Sequence, residues 1–482
     1  MKLRLPFTLV FVAFALCLLL GPLQPYLRET GALTPFYLTG VSLGEFLGHP
    51  YGLLLYVASG LQSCFALPWL GALLFTAALV AVAYAQKWAF RVSDHWFGLC
   101  WVVPFLLFAH YTRMGYLIYT SKAVAPAYVP VLVVLFGVLL LGCLRVGVSR
   151  WWKGWKSSRA TGSKRMVLLV VNVLLFVGSA FAAYSYSFRD PNFLNILWMK
   201  HAAEEGAWEQ VLQIAREGKE EPTRAQVCLT RLALFKTGRM GDELFTYPEG
   251  SAQYNAPQNQ WLRLMIGPLL YYHYGKTGFA YRWAMEDMVE YGERPAYLRY
   301  LYSVARLNEE EALTKRYERT LARTLFYKCA REKEDQEAAA IKPLLNYTDQ
   351  LDGDDGLVEF YLLNSFALSE GGSREMVELS LMNGLITKNL TGFWPRFLAL
   401  LPTWQGRIPT HYQEAALMVA QLQGGAPVAD LPIDPVIQQR FQQLIAASAR
   451  MGDNAANAVA LRPEFGNTYW YYYFFVEGLK TN

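Results

Sequence analysis

The sequence predicts an all-α protein in two parts: a polytopic transmembrane helical domain over residues 1–185, then a tetratricopeptide-like α-α solenoid over residues 186–482. Three observations predict it. Long apolar runs crowd the first 185 residues and stop there. Strand signals are nearly absent after residue 190, while apolar positions three and four apart recur between polar, Gly or Pro breaks. The charge divides at the same place. Residues 1–185 hold 14 Lys and Arg against Glu29, Glu45 and Asp94, a net +11, and the whole chain is +5, which leaves −6 for the remainder. A basic excess confined to the apolar half reads as topology signal and lipid contact, which argues against a nucleic-acid footprint.

A span needs roughly 20 apolar residues. Residues 6–24, 51–67, 69–86, 96–110, 126–144 and 166–185 are the expected spans. Pro68 divides one long apolar stretch into a tight pair. Residues 111–125 hold Arg113 and Lys122 and give either a seventh short span or an interfacial piece, so the count is six or seven. The N-terminus has the basic start of a signal peptide, Lys2 and Arg4, but no small-residue cleavage site follows its apolar core, so residues 7–24 read as a retained span.

Orientation rests on residues 145–165, RVGVSRWWKGWKSSRATGSKR, with seven basic residues and no acid. Short loops of this kind stay cytoplasmic. The last span then delivers residues 186–482 to the outer side, the periplasm in a bacterium. Trp151, Trp152 and Trp155 interleave with the bases as headgroup-level anchors.

Beyond the last span, residues 203–215 (AEEGAWEQVLQIA) place a turn Gly between two helical patterns. Residues 232–240 repeat the small-residue-then-Gly turn 32 residues on, and residues 272–284 repeat it loosely again. This resembles the tetratricopeptide turn, with its period of 34. A small residue lets antiparallel helices approach, and Gly closes the turn. Further helices are expected near 295–306, 309–331, 334–347, 356–369, 373–388, 410–423 and 434–451, with Asn308 and Glu311 as a capping box. The seven aromatics of residues 469–475 read as a terminal element packed on the last helix pair.

The apolar pair around Pro68, the segment LALFKTGRMGD at 232–242 and IPTHYQEA at 408–415 resemble a family of uncharacterised membrane proteins of Bacteroidota. That resemblance implies an inner-membrane location and a helical periplasmic tail. It supplies no catalytic residues.

No catalytic, cofactor-binding or metal site is assigned from sequence, and no cofactor is expected. Gly40, Ser42 and Gly44 fit the GxSxG spacing, which carries meaning only on a strand-turn-helix. Asp352, Asp354 and Asp355 fail the twelve-residue calcium-loop template. Cys228 and Cys329 could pair only in an oxidising compartment. Polar groups near the membrane carry more weight, because they are costly there. These are Glu29, Glu45 and His49 in the first loop, and Asp94, His95, His110 and Arg113 around the fourth span. The leading expectation is a membrane-anchored repeat protein that contacts lipid, binds protein partners and needs no nucleic acid, rather than an enzyme. The alternative is an envelope glycosyltransferase-like enzyme using lipid-linked sugars, with Glu29 or Glu45 as the working carboxylate.

Overall fold

The computed structural model describes residues 4–147, 162–250, 259–329, 331–345, 373–404, 406–422, 431–448 and 454–476. Every regular element among them is helical. They form two compact units. One holds residues 1–194, 287–299 and 312–329; the other holds 195–286, 300–311 and 330–482.

In the first unit, the six expected spans are all helical, but three of them are too short as single α-helices. Three helices are long and apolar enough to cross a membrane: Pro68–Phe90, Tyr128–Gly147 and Met166–Tyr186. Counting the pair Arg4–Leu20 and Gln24–Ala32 as one broken span gives up to four. This corrects the six or seven expected from hydropathy. The cause is local chain chemistry. Gly21, Pro22 and Pro25 bend the first pair by 71°. The helix Gly52–Ser63 ends before Pro68, and residues 94–101 wind as a 3-10 helix. The fourth expected span is therefore divided between that 3-10 helix and the 12-residue α-helix Val102–Arg113, and no single α-helix covers it.

Pro68–Phe90 is the central helix and packs on Tyr128–Gly147 and Arg4–Leu20. Its buried face carries Phe75, Leu79, Val82 and Ala83. Phe65, Phe75, Tyr111 and Tyr128 form an aromatic cluster beside it, with ring centroids 5.3 to 5.9 Å apart. The outer helices Tyr128–Gly147 and Met166–Tyr186 expose long apolar faces, including Phe136, Leu140, Leu174 and Phe181. Two later segments join this unit by backbone bonds. Arg323 C=O accepts from Leu38 N–H at 2.9 Å, and Ser121 C=O accepts from the Arg294 guanidinium at 2.6 Å.

The second unit is built from helical hairpins. The turns at residues 205–207, 237–239, 274–276, 308–310 and 387–389 all have three residues. Each has a left-handed central residue: Gly206, Gly238, Gly275, Glu309 and Lys388. In each, the next residue donates its N–H to a carbonyl five positions back: Ala207 to Ala202, Arg239 to Leu234, Lys276 to Tyr271, Glu310 to Ala305, Asn389 to Gly384, at 2.8 to 2.9 Å. This closure satisfies carbonyls that a helix end leaves open. At Gly275 a side chain is also excluded by space, since a Cβ would lie 2.6 Å from the Leu344 carbonyl oxygen.

The expected capping box at Asn308 and Glu311 is corrected. Asn308 N–H donates to Val304 C=O and closes the preceding helix, because the left-handed Glu309 follows it. A capping box does form at Thr223 and Gln226. The aromatic helix Tyr469–Phe475 buries Tyr469, Trp470, Tyr471 and Tyr472, and packs on Thr410–Leu422 and Asn454–Phe465. One set of contacts is long-range. Asp242 accepts from Thr410 N–H at 2.9 Å and from its hydroxyl at 2.8 Å. His411 and Glu414, 2.9 Å apart, are both buried beneath Phe245 and Tyr469. A linear solenoid contacts only its neighbouring repeats; these contacts tie the second hairpin to the C-terminal helices.

Candidate functional site

Several polar side chains in the core of the first unit are joined by hydrogen bonds, which offset the cost of about 1–3 kcal/mol of burying an unpaired polar group. Gln62 sits on the helix Gly52–Ser63 inside an apolar run. Its Nε2 donates to Thr34 Oγ1 at 2.8 Å, and its Oε1 accepts from Ala127 N–H at 2.9 Å. Thr34 and Thr30 donate back to the carbonyls of Thr30 and Tyr26, the usual way a helical threonine satisfies its hydroxyl. Tyr111 donates to Thr30 Oγ1 and Tyr26 donates to Tyr111 C=O, both at 3.1 Å. The result is a continuous buried chain of hydroxyls and one amide.

Arg294 caps this chain. It lies between the helices Thr277–Tyr291 and Pro295–Leu307 and is only 4% exposed. Its guanidinium donates to Ser121 C=O at 2.6 Å and to Tyr291 C=O at 3.1 Å. Burial disfavours its charge; Tyr297, Tyr291 and Asp287 favour it. Burial pushes the Tyr297 hydroxyl up, Arg294 pulls it back, and Asp287 and Glu29 add to the rise.

Thr30, Thr34, Gln62, Ser121 and Arg294 line a cavity of about 10 Å³, room for one water. Ala125, also in its wall, has φ of +49° immediately before Pro126. Left-handed geometry is disfavoured for alanine, and a following proline restricts it further, so this backbone stores on the order of 1–3 kcal/mol. The Gln62–Ala127 bond holds it. Chemically the cavity is donor-rich and can orient a water or one anionic oxygen. None of its lining side chains ordinarily titrates near neutral pH.

The residues singled out from sequence scatter. Glu29 is buried in the electrostatic neighbourhood of Tyr297. Glu45 and His49 are exposed, as is His110. Asp94 receives Arg4 Nε at 2.6 Å and also the Lys87 ammonium, which ties three elements together. The His95 side chain lies outside the described residues. Arg113 is exposed and stacks on Tyr186 at 3.8 Å. Ser42 lies in the helix Gly40–Leu47, under the Thr39 cap, so the GxSxG spacing is not a nucleophile turn. Cys228 and Cys329 are not joined by a disulfide; Cys228 is buried and Cys329 half-buried. Among the described residues no group of three His, Cys, Asp or Glu is placed to hold a metal. Residues 352–356, the tryptophans and central bases of the 145–165 loop, and the helix expected near 356–369 lie outside the described residues.

Sequence reasoning missed Arg294 and the Thr30–Thr34–Gln62 chain. Gln62 offered a signal, as an amide inside an apolar run. Arg294 offered none, because it lies far beyond the apolar half.

A family model described as a family of unknown function (DUF6057) matches residues 107–476. No curated protein and no solved structure matches the chain.

Proposed function

Since the chain belongs to the DUF6057 family, a family of unknown function, we propose from its own residues that it is an integral protein of the cytoplasmic membrane that binds or scaffolds other proteins. The second unit supplies the binding surface as an array of tetratricopeptide-like hairpins. The observation that carries this reading is the five three-residue turns of one geometry, four of them 32, 37 and 34 residues apart. Stacked hairpins of this period present extended surfaces suited to peptides and proteins.

Membrane insertion is supported by three helices of sufficient length, whose exposed apolar faces lipid would cover. The basic loop 145–165 favours a cytoplasmic position for itself and a periplasmic one for the second unit. Protease added to intact spheroplasts should cleave the second unit; full protection would reverse the orientation.

A photo-crosslinker at Gln210, exposed on the helix Trp208–Glu217, tests the binding role. It should give a discrete protein adduct, whereas one at Leu140, on an apolar face of the first unit, should give lipid adducts. A chain that runs as a solitary species in detergent and yields no protein adduct from Gln210, Arg396 or Arg440 would end the scaffold reading. The glycosyltransferase-like alternative needs a carboxylate facing a substrate-sized cavity. Unchanged surface glycan in Glu29→Gln and Glu45→Gln variants would remove it.

A further inference from the structure

We propose that Arg113 and Arg189 form a binding site for a phosphate-bearing anion, filled by the headgroup of an anionic phospholipid at the end of the last apolar helix. Both arginines line an open pocket of about 460 Å³ between the ends of the helices Val102–Arg113 and Met166–Tyr186. A pocket of that volume suits a small ligand or headgroup.

The pocket is built to hold two cations apart from acids. The Arg113 guanidinium lies 3.8 Å over the Tyr186 ring, and Arg189 lies 4.4 Å over Tyr184. Arg189 donates to Ser185 C=O at 3.3 Å, and Arg113 has no acid partner among the described residues. The two chain ends are pinned: Thr112 and Ser187 hydroxyls meet at 2.8 Å, and Phe188 N–H donates to Thr112 C=O at 3.3 Å. No carboxylate lines the pocket. The adjacent acid, Asp190, is outside the lining but bonded to Tyr116, which lines the pocket. Its Oδ2 accepts from the Tyr116 hydroxyl at 3.2 Å and its Oδ1 from Asn192 N–H at 2.9 Å.

A ring face neutralises a guanidinium only in part and leaves its N–H edges free to donate. Two such forks beside one cavity match the oxygens of a phosphate, which arginine recognises bidentately. Tyrosine and arginine at the end of an apolar helix are also the side chains expected at headgroup level. The phosphate chemistry stands on the pocket alone; the lipid source rests on the membrane reading above.

The full-length protein in a neutral detergent, examined by native mass spectrometry, tests this. Phosphatidylglycerol should be retained in preference to phosphatidylcholine. Arg113→Gln and Arg189→Gln should each weaken retention several-fold, and the double variant by about tenfold or more. Arg113→Lys with Arg189→Lys should fall between, because charge remains and the planar fork is lost. Arg407→Gln, exposed in the second unit, serves as the control and should change nothing. Displacement of the lipid by millimolar inorganic phosphate would assign the site to free phosphate as well; resistance to it would assign the site to lipid alone. A protein that stays soluble without detergent yet binds inorganic phosphate through these arginines would fail the membrane reading and keep the site. A folded double variant, shown by unchanged helical circular dichroism, that retains phosphatidylglycerol like the parent would overturn the proposal.

Discussion

The two units treat their arginines differently. In the second, arginines meet acids. Arg231 meets Glu249 at 2.5 Å, Arg239 bridges Glu209 and Glu243 at 2.9 and 2.7 Å, and Arg306 pairs with Asp335. In the first, Arg4 meets Asp94, but four others meet rings and carbonyls. Arg113 and Arg189 stack on tyrosines. Arg145 donates to the carbonyls of Trp88 and Ala89, both at 3.0 Å, and Arg294 donates to those of Ser121 and Tyr291. The difference follows from composition. Fourteen cations share three acids across residues 1–185, and Asp94 already serves both Arg4 and Lys87. A carbonyl or ring satisfies geometry without cancelling charge. The first unit therefore keeps net positive charge that can meet an anion, and the second spends its charge on its own fold.

The largest expected effect tests the acid-paired side. Glu249 is mostly buried and engages Arg231 and Arg224, both almost fully buried. Replacing it by alanine takes away a carboxylate that two buried guanidinium groups share, which should cost about 3–5 kcal/mol. The thermal midpoint of the second unit should drop sharply. A change below about 1 kcal/mol would show that these pairs are solvated and that the contrast between the units is superficial. Glu414→Ala should rank next, at about 2–3 kcal/mol, because His411 and the Tyr469 N–H both lose a buried carboxyl acceptor. Chemical denaturation followed by tryptophan fluorescence would read it through Trp470, whose indole donates to the Glu414 carbonyl.

Acid should weaken the second unit through His273. Its pKa is held well below the ordinary value, first by burial and then by Lys236, whose own pKa burial lowers to about 8. The nearest acid is Glu337, whose carboxylate oxygen lies 3.3 Å from Nε2. A depressed histidine stays neutral in the fold while the unfolded chain takes up a proton below its ordinary pKa. Stability is therefore present above about pH 6.5 and declines as pH falls below it. A melting temperature that falls between pH 7 and pH 5, with a flatter slope in His273→Asn, is the expected outcome. An equal slope in both would move the acid sensitivity to other groups.

Much of this fold was legible, and its limits have physical causes. Hydropathy marked the long apolar helices of the first unit, because burial and lipid select the same residues, but it passed over the helix Gly40–Leu47. It overcounted the spans because it does not register how Gly21, Pro22 and Pro25 bend the first helix pair, or that the α-helices within 51–67 and 96–110 are short. The turns at Gly206, Gly238 and Gly275 were visible because glycine announces a left-handed residue. Those at Glu309 and Lys388 were not, since their residues hide the same conformation. The polar chain of Tyr26, Thr30, Thr34 and Gln62 could be suspected only at Gln62. Arg294 arrives from a segment more than 200 residues downstream, which periodicity does not connect.

In the first unit, Arg113→Gln should shift thermal stability by no more than about 0.5–1 kcal/mol, the worth of an exposed cation–π contact. Its consequence should fall on anion retention. A large loss of stability would mean that the stacked arginine is a strut.

The smallest effects sharpen the contrast within the second unit itself. Glu309→Gly and Lys388→Gly each relieve a left-handed residue, worth up to about 1 kcal/mol. Glu309 gives up only an exposed pair with Lys342, so its variant should gain several tenths of a kcal/mol. Lys388 is a cation of this unit held in the manner of the first. Its ammonium donates to the carbonyls of Tyr473 and Val476, at 2.8 and 2.6 Å, where the aromatic helix Tyr469–Phe475 ends. Removing it exposes that helix end at the moment the strain is relieved, so the two terms should nearly cancel. Paired melting curves of the two variants measure the difference, which is the worth of a carbonyl-held cation in this protein. If Lys388→Gly gains as much as Glu309→Gly, carbonyl capture adds little stability. The arginines of the first unit would then be held chiefly by their surroundings and kept for what they bind.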